Sequence, residues 1–80
     1  MYAESFPSKL KSAREKTGFS QRDVAKELHI DQSQIARYEL GKTQPDIETL
    51  GKLADFYDVS TDWLIGTRGA PKKREKENKE

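Results

Sequence analysis

Ser20–Gly41 reads S-Q-R-D-V-A-K-E-L-H-I-D-Q-S-Q-I-A-R-Y-E-L-G. Ser20 followed three residues later by Asp23 resembles a capping box, with Asp as a shorter stand-in for the usual Glu or Gln, so a helix opens there. Val24, Ala25 and Leu28 form its apolar face. The helix cannot run far, because Asp31 with Gln34 offers a second cap-like pair only eight residues after Asp23. Two short helices therefore meet across about three residues. Ile35 and Tyr38 give the second of them an inward side, Gln32, Ser33, Gln34 and Arg37 face outward or sideways, and Gly41 ends it.

Working outward, residues 1–5 carry no pattern and read as a flexible arm. A preceding helix starts near Ser5 to Pro7, since proline fits a first helical turn and Ser5 can cap free N–H groups. Phe6, Leu10, Ala13 and Thr17 recur as one buried stripe, and Gly18 closes it. Downstream, Thr43-Gln44-Pro45 is an extended connector, because proline pushes its predecessor out of the helical region. Asp46 caps a fourth helix with the stripe Ile47, Leu50, Leu53, Ala54 and Tyr57. Ser60 caps a short fifth helix, Thr61 to Ile65, in which Trp63 and Leu64 are available for the core or an interface. Residues 67–80, T-R-G-A-P-K-K-R-E-K-E-N-K-E, have Ala70 as their only apolar residue and read as a disordered charged tail or linker. The expected architecture is all-α, a compact five-helix domain over residues 6–66.

Eighty residues with 32% hydrophobic content allow one small core. There is no cysteine and a single histidine, His29, so neither a disulfide framework nor a zinc site is expected. No apolar run reaches the roughly 18 residues that span a bilayer, and the N-terminus lacks the parts of a signal peptide. The expectation is a soluble cytoplasmic protein with no membrane association. No nucleophile–base pair, phosphate-cradling glycine loop or metal cluster is legible, so an enzyme is not expected and no cofactor is called for. Net charge is only +1, but its distribution is uneven. Residues 6–42 hold eight Lys or Arg against five acids, and residues 43–66 hold one Lys against five acids. Such segregation can present a basic face to phosphates.

Counting Gln21 as position 1 of the central pair, Ala25, His29 and Ile35 fall at positions 5, 9 and 15. Those are positions at which a helix-turn-helix has physical requirements. Ala25 must be small for the helices to cross closely, Ile35 must be apolar to plug the angle between them, and His29 stands where the turn favours glycine for a left-handed backbone. From Leu10 to Gly66, about 70% of its length, the chain resembles the phage repressor and Cro-type helix-turn-helix family, also called XRE-like. The elements L-K-S-A-R-E-K-T-G-F-S-Q, D-V-A-K-E-L, Q-I-A-R-Y-E-L-G-K, Q-P-D-I-E-T-L-G-K-L-A-D-F-Y-D-V-S and D-W-L-I-G carry that resemblance in family order.

The resemblance implies a lambda-repressor-like fold whose third helix enters the major groove of double-stranded DNA. By position it implies that Gln32, Ser33, Gln34 and Arg37 contact bases. Their chemistry agrees, since Gln can pair with adenine and Arg with guanine. It implies that Gln21 grips phosphate and braces Gln32, and that Lys42 and Thr43 hold the backbone, with Ser20 and Arg22 as additions. It implies an ion pair between Arg14 and Glu39, and a homodimer on DNA through the region of Trp63. The function so implied is transcriptional regulation, more specifically repression at an inverted-repeat operator. The acidic stretch from Asp46 to Asp62 and the near-neutral total keep a second reading open, a protein-interaction adapter or antitoxin-like module on the same fold.

Overall fold

The computed structural model describes residues 5–66, so the charged tail at 67–80 and the arm before Ser5 lie outside the described residues. Five helices form among them: α1 (Phe6–Thr17), α2 (Gln21–Leu28), α3 (Gln32–Leu40), α4 (Ile47–Tyr57) and α5 (Thr61–Ile65). Three begin on side-chain caps. The Ser20 hydroxyl accepts from the Asp23 N–H at 3.0 Å while the Ser20 N–H donates to Asp23 Oδ2 at 3.2 Å, a complete capping box. Asp46 Oδ1 accepts from the Thr49 N–H at 2.8 Å, and the Ser60 hydroxyl accepts from the Trp63 N–H at 3.0 Å.

Two expected caps are absent. Ser5 already has near-helical dihedrals (φ −95°, ψ −3°), and its side chain makes no capping bond. Its carbonyl instead accepts from the Ser8 hydroxyl and the Lys9 N–H. Asp31 has the extended backbone of a cap but no side-chain bond, and only its carbonyl is engaged, by the Gln34 and Ile35 N–H groups.

Helix ends follow one rule, a left-handed residue and then a turn back. Gly18, Gly41 and Gly66 supply it, and so do two non-glycines, His29 (φ 57°) and Asp58 (φ 58°). After each of these two, an apolar residue closes the turn. The Ile30 N–H donates to the Ala25 carbonyl, and the Val59 N–H to the Ala54 carbonyl, both at 2.9 Å. Ile30 and Val59 then pack on the core, an anchor that holds a strained preceding residue in place.

The core gathers one face from every helix. Leu10, Val24, Ile35, Leu53 and Leu64 are fully buried, and truncating any such Leu to Ala would cost about 2–5 kcal/mol. Helix α1 packs on α3, α4 and α5, while α2 leans on α3. Two stripe residues fall outside. Thr17 is exposed, its hydroxyl donating to the Arg14 carbonyl, and Ile47 is 89% exposed. Each sits in a terminal helical turn that no neighbouring element covers. Phe19 stacks on Phe56 at 5.2 Å, tying the α1–α2 turn to α4. Lys9 docks α5 on α1: its ammonium donates to the Trp63 carbonyl at 3.0 Å and lies 5.4 Å from the Trp63 ring centre. No helix among the described residues is long and apolar enough to cross a membrane.

Candidate nucleic-acid interface

The crossing of α2 and α3 is built as its side-chain sizes demand. Ala25 is buried at the crossing, Ile35 is fully buried between the helices, and His29 turns the chain with φ 57° and ψ 47°. With Ile35, Tyr38 and Glu39 turned inward, helical periodicity sends Ser33, Arg37 and Leu40 to the opposite side. All three are exposed, and so is Gln32. Gln32, Ala36 and Glu39 run along one flank at i, i+4 and i+7, and Gln34 and Tyr38 run along the other.

Beneath α3 lies a polar network drawn from three helices. Arg14 Nε donates to Glu39 Oε2 at 2.7 Å and Arg14 Nη2 to Glu39 Oε1 at 3.0 Å, a two-pronged pair. Arg14 Nη1 donates to the Phe19 carbonyl at 2.9 Å, and Gln21 Nε2 donates to Glu39 Oε1 at 2.9 Å. The Glu39 side chain is 3% exposed and that of Arg14 12%. Hydrogen bonding to Glu39 raises the Arg14 pKa above its ordinary value, against the opposing effect of burial. The Tyr57 hydroxyl is buried without a hydrogen-bond partner among the described residues. Burial pushes its pKa well up, and the Glu39 charge pushes it further.

The residues singled out in the sequence divide by place. Gln32, Ser33 and Arg37 are exposed along α3, Arg22 is exposed on α2, and Lys42 and Thr43 are exposed in the turn after Gly41. Gln34 is half-buried and lines a polar cleft with His29, Tyr38, Thr43, Asp46 and Thr49. It therefore belongs to the α4 side of the helix rather than to its outermost ridge. Ser20 already uses its oxygen as a cap, which leaves its O–H to donate. Gln21 is half-buried and engaged with Glu39. Leu40, 68% exposed, escaped the sequence reading; the spacing Ser33, Arg37, Leu40 was the signal that could have found it. Among the described residues no group of His, Cys, Asp and Glu could hold a metal ion.

The family model described as Helix-turn-helix matches residues 10–64. The chain is 41% identical over 71 residues to the HTH-type transcriptional regulator ImmR of Bacillus subtilis (strain 168), covering 89% of this chain and 56% of ImmR. It is 42% identical over 60 residues to the SPbeta prophage-derived uncharacterized HTH-type transcriptional regulator YonR of the same organism, covering 75% and 56%. The cryptic phage CTXphi transcriptional repressor RstR of Vibrio cholerae is 35% identical over 60 residues, with 75% and 54% covered. The chain thus spans about half the length of the curated relatives it matches.

Proposed function

The chain belongs to the helix-turn-helix family, and on that premise we propose that it is a sequence-specific transcriptional repressor that binds double-stranded DNA through α3. The observation that carries this reading is the outward ridge of α3: Ser33 and Arg37, flanked by Gln32, all exposed. These side chains can discriminate bases in the major groove, where Arg suits guanine and Gln adenine. Gln34, from its flank, reaches the edge of the same reading frame. Ser20, Gln21, Arg22, Lys42 and Thr43 bracket the ridge and serve the phosphates. Residues 6–66 form the binding unit, and residues 67–80 serve as a tail or linker to it.

The operator is an inverted repeat bound by two copies, with half-sites about one helical turn, roughly 34 Å, apart. Exposed Ile47, half-buried Trp63, and the small apolar cleft formed by Phe6, Pro45, Leu50 and Ile65 supply the apolar surface for that pairing. Repression, in keeping with the similarity to the transcriptional repressor RstR, would follow from occlusion of polymerase.

Selection from random duplex DNA tests the reading, with binding then measured for two variants. Arg37→Ala relaxes preference at one base position, at a cost of about 1–3 kcal/mol, whereas Lys42→Ala weakens all sites alike and shallows the salt dependence. Enrichment of no sequence, together with a stable protein partner in a pull-down, would replace this reading with that of an interaction adapter. Activation of a reporter by the bound protein would overturn repression alone.

A further inference from the structure

A glutamine side chain can turn either its nitrogen or its oxygen toward a neighbour, and the neighbour's chemistry decides which. At Gln21 the neighbour is Glu39, whose carboxylate has only lone pairs to offer. Its Oε1 already accepts from Arg14 Nη2 at 3.0 Å and takes Gln21 Nε2 at 2.9 Å. Arg14 has only hydrogens to give, and it grips both oxygens of Glu39 from α1. The chain of bonds therefore has one direction: Arg14 donates, Glu39 accepts, Gln21 donates. One hydrogen of Gln21 Nε2 is spent on Glu39, and the second remains.

We propose that Glu39 is a positioning residue for DNA binding: it locks the Gln21 amide so that the second Nε2 hydrogen, and not Oε1, is presented to a DNA phosphate. This rests on the reading above, in which the start of α2 lies against the phosphate backbone. A phosphate, like a carboxylate, only accepts hydrogen bonds. A flipped amide would set oxygen against oxygen, so the orientation decides the sign of the contact. Gln21 also opens α2, where the helix dipole favours an anion, although the Ser20–Asp23 capping box already engages the Asp23 N–H and sets the Asp23 carboxylate in the first turn. Arg14 has a second task in this arrangement. It cancels a carboxylate charge that would otherwise repel the approaching phosphate. Neither Arg14 nor Glu39 needs to touch DNA for this to operate, which sets them apart from the exposed residues of α3.

A double-mutant cycle on the selected duplex tests the proposal. Gln21→Ala, Glu39→Gln and the double variant are compared for affinity, with folding of each checked by urea unfolding. Gln at 39 can donate as well as accept, so it lets the Gln21 amide flip. Glu39→Gln should weaken binding about tenfold in the native background, the size of one charged hydrogen bond, and less than about twofold when residue 21 is Ala. Equal losses in both backgrounds would mean that Glu39 acts only through the fold, and would overturn the proposal. If Glu39→Gln does not fold, NMR of the unaltered protein decides. The two Gln21 side-chain amide hydrogens should differ, one exchanging more slowly than those of exposed Gln44; equal, fast exchange of both would refute the lock. Unchanged affinity in Gln21→Ala, with sequence preference intact, would sink the inference but leave the DNA-binding reading standing. No sequence preference in the unaltered protein would sink both.

Discussion

Replacing Arg14 with Ala should be among the most damaging single changes outside the apolar core. The magnitude follows from what is left behind. Glu39, 3% exposed, would keep its charge with Gln21 Nε2 as its one remaining side-chain donor among the described residues. Removing one partner of a buried pair costs about 3–5 kcal/mol, and the slight exposure of the guanidinium places this case at the low end. Loss of the bond from Arg14 Nη1 to the Phe19 carbonyl adds about 0.5–1.5 kcal/mol. The sum is roughly 3.5–4.5 kcal/mol, in a domain whose total stability should be roughly 3–9 kcal/mol at 0.05–0.15 kcal/mol per residue. Urea unfolding followed by Trp63 fluorescence measures it, because Trp63 is docked on α1 through Lys9. Arg14→Met combined with Glu39→Met strands no charge and should recover most of the loss. A cost below about 0.5 kcal/mol for Arg14→Ala, the size expected of a surface substitution, would mean that the pair does not brace the fold.

Tyr57→Phe removes a buried hydroxyl that has no partner among the described residues, so stability should hold or rise by about 1 kcal/mol, and a clear loss would reveal a bond to that oxygen. The same residue sets an alkaline limit: its folded pKa lies above the ordinary 10.0, so stability is full below about pH 10 and falls as pH rises toward the folded value. Tyr57→Phe should flatten that limb in a pH series of unfolding midpoints. His29→Gly relieves a left-handed non-glycine at some cost in unfolded-chain entropy, for a net gain of about 0–1 kcal/mol by urea titration. A loss would mean that the imidazole holds something in place. Ile47→Asp should leave unfolding within about 0.5 kcal/mol, since Ile47 is 89% exposed, yet weaken pairing of two copies on DNA in sedimentation measurements. Unimpaired pairing would move the proposed contact elsewhere.

Local features of the fold were legible in the sequence because their causes are local. Ser20 with Asp23, Asp46, and Ser60 announce helix starts since a cap reaches only two or three residues ahead. Ala25, His29 and Ile35 announce the crossing of α2 and α3 since each answers a steric demand within one turn. The failures have other causes. Thr17 and Ile47 continue their stripes by periodicity, but burial requires something opposite, and the core is shorter than the helices that bound it. Ser5 has the right side chain on a backbone already wound into the helical region, where the hydroxyl does not reach the free N–H groups two or three residues ahead. Asp58 went unnoticed because it is not glycine, although Asp58-Val59 repeats the His29-Ile30 pattern of a polar left-handed residue and an apolar anchor.

The exposed ridge of α3 was legible by type, whereas what orients it was only half so. Ser33 and Arg37 point outward because Ile35 and Tyr38 point inward, and that much is periodicity. Apolar contacts, however, are non-directional, and a helix held by them alone can roll about its axis at little cost. The Glu39 carboxylate is different. It is gripped by two prongs of Arg14 from α1 and by Gln21 from α2, and planar, two-pronged bonding tolerates little rotation. Those partners lie 25 and 18 residues away in sequence, beyond any local pattern. The same bonds that set the roll of α3 also set the amide of Gln21 at its edge. Under the proposed function, a single buried carboxylate would couple the side chains offered to bases to the one offered to the backbone, a task that apolar packing alone could not perform.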